Sequence, residues 1–94
     1  MMIPGSLTVY RCPASVLWVQ DAAALIVVNE TTQMTYRLEG FAAALWNWLA
    51  LGYAYPRLMA FVMAWYALPA SQARDLLQKQ LDLWQEAGLL INET

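Results

Sequence analysis

The sequence predicts an α+β fold in which a three-stranded antiparallel sheet is followed by three helices. Three short β-like segments with small or polar connections lie within residues 16–38. From residue 40 onward the apolar residues follow the helical period, and glycine and proline divide residues 40–91 into three segments. With 94 residues the chain has room for a single domain, which we assign to residues 1–94.

The strands are expected in the first half of the chain. Residues 1–15 contain two prolines and a glycine and are expected to form an extended lead-in. Residues 16–19 are β-branched or aromatic and predict a first strand, and the wholly apolar residues 25–28 predict a central second strand. The polar residues 29–33 then form a hairpin loop that leads into a third strand, Met34–Leu38.

The third strand carries the clearest pattern in the sequence. Met34, Tyr36 and Leu38 alternate with Thr35 and Arg37, as in a strand with one buried face. No further strand is predicted after it, so its outer edge is expected to remain open. An open edge presents a row of N–H and C=O groups that another backbone can bind.

Two helices of mainly apolar composition are predicted next. The first covers residues 41–51 and ends at Gly52, a residue type common just after helices. The second covers residues 56–66, with Pro56 in the first turn, where its missing N–H is not needed. This second helix is apolar nearly all round, which indicates either burial on several sides or a contact surface.

The third predicted helix covers residues 71–87, with Ser71 as its N-cap and Gly88 at its end. Its apolar side spans an arc of roughly 160°, wide enough to pack on the core and also to line a groove. Gln80 lies near the middle of this arc, either as a hydrogen-bonded core residue or as a ligand contact. The arc comprises Ala73, Leu76, Leu77, Gln80, Leu81, Leu83, Trp84 and Ala87.

The composition predicts an apolar surface that is covered by a binding partner. The chain is 61% hydrophobic and 13% charged, whereas a typical domain is about half apolar and about a quarter charged. So small a domain cannot bury this excess completely. The net charge of −2 and the absence of a basic run argue against nucleic-acid binding.

Location is suggested by the cysteine content and by the apolar segments. Cys12 is the single cysteine, which excludes an internal disulfide and fits a reducing compartment. Residues 1–5 lack a signal-peptide pattern, so we expect the cytoplasm. The apolar residues 41–68 are divided by Gly52 and Pro56 into pieces shorter than the roughly 20 residues of a membrane span.

Catalytic chemistry is not expected. The chain has no histidine, one cysteine, and four scattered glycines, so no metal site, nucleophile–base pair or phosphate loop is predicted. The nearest carboxylate pair, Asp82 and Glu86, lies on the polar side of the third helix. We therefore expect a non-enzyme without cofactor or metal.

Residues from 16 to 91 resemble the PqqD-like family in the order and spacing of their apolar patterns. The resemblance is carried by Ala24-Leu25-Ile26-Val27-Val28-Asn29, Met34-Thr35-Tyr36-Arg37-Leu38, Ala42-Ala43-Ala44-Leu45-Trp46, Gly52, Leu77, Leu81, Trp84 and Gly88-Leu89-Leu90. The sequence departs from the family pattern at Glu39-Gly40, where an asparagine often caps the first helix, and at Tyr55-Pro56, where the second helix usually opens with serine or threonine.

The resemblance implies a RiPP recognition element, a small winged-helix domain that holds the leader of a ribosomally made precursor peptide for a modifying enzyme. The leader adds as a strand to the third strand, beside the third helix. Carried over, the peptide-binding residues are Gln33, Met34, Thr35, Tyr36, Arg37 and Leu38, with Arg74, Leu76, Gln80 and Leu83 on the helix. Arg37 and Arg74 would pair with leader acids, and Tyr36→Pro would abolish binding.

Other interpretations remain open at this point. The apolar second helix suggests a further contact, with the modifying enzyme or with a second copy in a homodimer. An interaction or structural subunit without peptide cargo, homodimeric or membrane-associated, is the main alternative. A DNA regulator is disfavoured by the acidic residues of the third helix.

Overall fold

The computed structural model describes residues 9–93. The elements in this part of the chain are β1 (Val9–Arg11), β2 (Val16–Asp21), β3 (Ala24–Asn29), β4 (Met34–Leu38), α1 (Phe41–Ala50), α2 (Tyr55–Tyr66), α3 (Ala70–Glu86) and β5 (Ile91–Glu93).

The strands β2, β3 and β4 form one antiparallel sheet with β3 in the centre. The predicted layout of a three-stranded antiparallel sheet followed by three helices is confirmed. Both β2 and β3 extend further into their hairpin than predicted, because the connection is only two residues long and Ala22 adopts a positive φ of 55°. The β3–β4 register pairs Val27 with Tyr36 and Leu25 with Leu38.

A second, two-stranded sheet was not predicted. β5 follows α3 and pairs antiparallel with β1, with Tyr10 opposite Asn92. The prediction that no strand follows the helices is therefore wrong, and the lead-in contains a strand. Within residues 9–93, β5 pairs with β1 and not with β4, and β3 is the one sheet partner of β4.

The helix boundaries differ slightly from the predicted ones. Gly40, with a φ of 57°, turns the chain from β4 into α1, and no side chain caps that helix. Pro56 lies in the first turn of α2 as predicted. Pro69 and not Ser71 is the N-cap of α3, and Gly88 adopts a φ of 75° after its end.

The core lies between the inner face of the larger sheet and the three helices. Leu25 and Val27 of β3 are buried there. The Trp46 ring of α1 lies with its centroid 5.6 Å from that of Trp18 on β2 and 5.2 Å from that of Trp84 on α3. This edge-to-face packing joins β2, α1 and α3. Among residues 9–93, no helix has the length and apolar character needed to cross a membrane.

Candidate functional site at the open edge of β4

The edge of β4 is open in the described part of the chain, where β3 is its sheet partner. The inner face of β4 changes in exposure along the strand. Leu38 is buried, Tyr36 is half-buried against the core, and Met34 has 52% of its surface exposed. The predicted alternation of buried and exposed side chains is thus present. At the start of β4, the apolar side chain of Met34 is exposed.

The hydrogen bonds of the β2–β3 hairpin determine which way each backbone group of β3 points. The Glu30 N–H donates to the Ser15 C=O at 2.8 Å, and Val16 lies opposite Asn29. In an antiparallel ladder, hydrogen-bonded and non-hydrogen-bonded pairs alternate. Because Ser15 and Glu30 are hydrogen-bonded, the neighbouring Val16 and Asn29 do not hydrogen-bond each other through the backbone. The Asn29 N–H and C=O therefore point away from β2 and toward β4. The two-residue hairpin predicts the same pattern.

The backbone N–H and C=O groups of β4 alternate in direction in the same way. Met34, Tyr36 and Leu38 direct their backbone groups toward β3, because they lie opposite Asn29, Val27 and Leu25. Thr35 and Arg37 direct theirs toward the open edge. These two residues offer two N–H donors and two C=O acceptors to an incoming strand.

The direction of the Tyr36 N–H corrects one expectation. Proline at Tyr36 would remove a hydrogen bond inside the sheet, so loss of binding in that variant would report unfolding of the edge. The N–H that an incoming strand would use at the middle of β4 belongs to Thr35. The informative proline substitution is therefore Thr35→Pro.

Gln33 does not belong to the strand. It adopts a positive φ of 61°, and its N–H donates to the Asn29 C=O at 2.7 Å. Gln33 therefore closes the hairpin loop, and the strand available for pairing begins at Met34. Gln33 thus lies outside β4, whose bounds are Met34–Leu38, and its contact with a peptide stays a prediction.

Asn29 joins the sheet to the end of α3, a role that was not predicted. Its buried side chain donates from Nδ2 to the Ala87 C=O at 3.4 Å and to the Gly88 C=O at 3.2 Å. Its Oδ1 accepts from the N–H groups of Thr31 at 2.9 Å and Thr32 at 3.3 Å. Asn29 thus fixes both the loop before β4 and the position of α3 relative to it.

Three predicted residues share one side of α3, at intervals of four and three residues. Leu76 packs against the core, Gln80 is half-buried, and Leu83 has 52% of its surface exposed. Asn29 holds the end of α3 beside the sheet, and Met34 lies opposite Asn29, so we assign this side of α3 and the inner face of β4 to one candidate site. We call it the β4–α3 groove and define it by Met34, Tyr36, Leu76, Gln80 and Leu83.

Arg74 lies on the other side of α3 and is not part of this groove. It acts electrostatically on Tyr55 at the start of α2, whose pKa is raised by burial, then by Tyr10, while Arg74 lowers it. Gln78, on the same side of α3 as Arg74, interacts with the Tyr10 hydroxyl and lowers its pKa, while burial has the larger effect and raises it. This side of α3 therefore faces β1 and α2, on the flank opposite Leu76, Gln80 and Leu83, and a contact of Arg74 with a peptide stays a prediction.

Arg37 is exposed on the outer face of the sheet and already has acidic partners. Its Nε lies 2.9 Å from Glu39 Oε1, and its Nη1 lies 3.5 Å from Asp21 Oδ2. The hydrogen bond that its guanidinium donates to the Glu39 carboxylate is the main cause of its raised pKa. Its side chain would have to exchange these partners before it bound a leader acid, whereas its backbone groups need no such exchange.

A shallow depression of about 380 Å³ lies on the polar side of α3 and borders the groove at Leu83. It is open to solvent, and three of its six lining residues are acidic. Its lining residues are Asp75, Gln78, Lys79, Asp82, Leu83 and Glu86.

Cys12 is predicted to react slowly with alkylating reagents at pH 8. Burial raises the pKa of its thiol from 9.0 to about 11, so the reactive thiolate is about 100-fold scarcer in the folded chain. Iodoacetamide labelling followed by mass spectrometry should be slower by about that factor than in urea. Its rate should rise about tenfold per pH unit up to about pH 10 and level off as the pH passes the pKa of about 11. Equal rates in the two conditions would contradict this packing of Cys12.

Comparisons with known proteins give one structural similarity. No family model matches the chain, and no curated protein matches it. The fold is similar to that of a solved structure, TbiB1 in complex with the TbiA(beta) leader peptide, with a TM-score of 0.79 at 15% sequence identity. The similarity covers 85% of this chain and 93% of that chain. At this level of identity the similarity supports a shared fold.

Proposed function

We propose that this chain binds the leader segment of a ribosomally synthesised precursor peptide, which adds as a fourth strand to the edge of β4. The observation that carries this proposal is the open edge itself, where the Thr35 and Arg37 backbone groups point outward beside an apolar side of α3. The similar fold of TbiB1, a protein solved with a leader peptide, supports the same function.

The β4–α3 groove suggests how affinity and selectivity would be divided. Up to four backbone hydrogen bonds at Thr35 and Arg37 would hold any extended peptide, each contributing about 1 kcal/mol. Every second peptide side chain would face the groove, where Met34 and Leu83 expose apolar surface. We therefore expect a leader with apolar residues at alternate positions and an affinity that depends weakly on salt.

The proposal is tested with synthetic peptides that cover the N-terminal segments of short reading frames adjacent to the gene for this chain. The peptide that binds most tightly is called the test peptide below. Titration is followed by tryptophan fluorescence, since the chain has five tryptophans. We expect a Kd in the micromolar range or tighter, and no binding of a scrambled peptide of the same composition. Failure of every peptide to bind would contradict the proposed function.

Leu83→Asp is expected to weaken binding of the test peptide at least about tenfold, because it puts a charge in the groove and removes apolar contact. The matched control is Leu17→Asp on the outer face of the sheet. Leu17 and Leu83 are both 52% exposed, so the same change is made at equal exposure. Calorimetric titration of both variants measures the difference. Equal weakening by the two substitutions would argue against the groove.

The proposed role is non-catalytic and cytoplasmic. The bound leader would be presented to a separate modifying enzyme, which would act on the rest of the precursor. Activity of that enzyme on the precursor, measured with and without this chain, tests the delivery step.

A second candidate is a subunit that associates through its sheet and carries no peptide. It is favoured by the outer face of β2, where Leu17 and Val19 are exposed, and by the position of β2 at the other edge of the sheet. Sedimentation equilibrium distinguishes the two functions, because a self-associating subunit forms a dimer whether or not the peptide is added.

A further inference from the structure

A cluster of aromatic rings begins just beyond the Leu38 end of β4. Phe41 is the first residue of α1. Its ring centroid lies 5.8 Å from that of Trp65 and 5.0 Å from that of Tyr66, at the end of α2. We call these three residues the aromatic patch. Trp65 is 52% exposed and Tyr66 is 43% exposed, so the patch presents ring surface to solvent.

The patch is continuous with the open edge along the chain. Phe41 follows Leu38 by three residues, so their Cα atoms are at most about 11 Å apart. A peptide strand paired with β4 lies about 5 Å from it. Two or three further peptide residues past Leu38 add about 7–11 Å of extended chain, which matches the separation between Leu38 and Phe41.

The surroundings of the patch determine which side chains it accepts. Arg57 is the one charged residue between positions 40 and 73. Its guanidinium carbon lies 4.9 Å from the centroid of the Tyr53 ring, where it makes a cation–π contact. In the described part of the chain the patch offers aromatic edges and faces, and the segment 41–72 that forms it carries no charge besides Arg57, which makes a surface suited to apolar or aromatic side chains.

We propose that the aromatic patch is a second contact for the same peptide and takes an apolar or aromatic side chain from the segment N-terminal to the docked strand. Antiparallel pairing is the more stable arrangement, and it places the N-terminal side of the peptide at the Leu38 end of β4. The other end then leaves at Met34, free for an enzyme. This inference rests on the proposed function, because the peptide must first be docked on β4.

Photo-crosslinking tests the placement. p-Benzoylphenylalanine replaces Tyr66, the test peptide is added, and the crosslinked site is mapped by mass spectrometry. We expect crosslinks to residues N-terminal to the peptide segment that pairs with β4. The matched control carries the same amino acid at Leu17 on the outer sheet face and should give no peptide crosslink.

Three outcomes would overturn the inference while leaving the proposed function intact, provided that the peptide still binds. These are a crosslink to a second copy of the chain, a crosslink to the C-terminal side of the peptide, and no crosslink. Failure of the unmodified protein to bind any test peptide would instead overturn the proposed function.

Binding measurements give an independent readout. Replacing both Trp65 and Tyr66 by alanine should weaken the full test peptide about tenfold and should leave unchanged the affinity for a peptide truncated at the start of the docked strand. Both side chains are partly exposed, so circular dichroism should remain that of the unsubstituted protein. Equal affinities of the substituted and unsubstituted proteins for the full peptide would contradict a contact at the patch.

Discussion

Thr35→Pro is expected to reduce affinity for the test peptide about 100-fold or more while the protein remains folded. The substitution removes one N–H donor from the open edge and leaves a peptide carbonyl without its partner, at a combined cost of about 3 kcal/mol. The proline ring also occupies space that the incoming strand needs. Proline is tolerated on an edge strand when its missing N–H faces solvent. Calorimetric titration measures the effect, and circular dichroism checks the fold.

Two control substitutions show whether the effect of Thr35→Pro comes from the loss of its outward-pointing backbone N–H. Thr35→Val keeps the N–H and should bind with nearly unchanged affinity. Tyr36→Pro removes an N–H that points toward β3, so it should lower the thermal stability of the free protein. If Thr35→Pro bound the peptide normally, the edge of β4 would not be the docking strand.

Asn29→Ala is expected to lower the free energy of unfolding by about 2 kcal/mol. The substitution removes the two hydrogen bonds to Ala87 and Gly88 and the two from Thr31 and Thr32, and it leaves buried polar groups without partners. Urea denaturation measures the change. Because Asn29 also fixes α3 beside the sheet, we expect weaker binding of the test peptide.

The controls for Asn29 separate its two contacts. Asn29→Asp keeps the acceptor for the loop but cannot donate to the Ala87 and Gly88 carbonyls, so it should destabilise at least as much as alanine. The same change at an exposed site, Asn47→Ala on α1, should alter stability by less than about 0.5 kcal/mol. Equal effects at positions 29 and 47 would show that Asn29 does not join the sheet to α3.

The larger part of the fold was predictable because its signals are local. The alternation within Met34–Leu38 and the glycines after the helices each depend on a few neighbouring residues. The pairing of β1 with β5 depends on residues about 80 positions apart in sequence, and a three-residue strand is too short to show a period. The N-cap of α3 was misassigned because Ser71 has the preferred side chain, whereas the chain enters the helix at Pro69.

The candidate site was predicted less completely, for geometric reasons. Side-chain alternation identifies the inner face of β4 but does not show which N–H groups point outward, since that depends on the hairpin between β2 and β3. The positive φ of Gln33 leaves no mark in the residue type. Arg74 was grouped with the groove for its charge, although the contacts of Tyr55 place it on the opposite side of α3. Asn29 was placed in the polar loop and in a segment that carries the family resemblance, with no structural role predicted for its side chain.

Amide hydrogen exchange at Thr35 and Arg37 tests the open edge most directly. In the free protein these two amides should exchange faster than those of Tyr36 and Leu38, which point toward β3. Addition of the test peptide should slow exchange at Thr35 and Arg37, with little change at the other two. Thr35 and Arg37 amides that are already protected in the free protein, or that stay unprotected with the peptide bound, would contradict strand addition at β4.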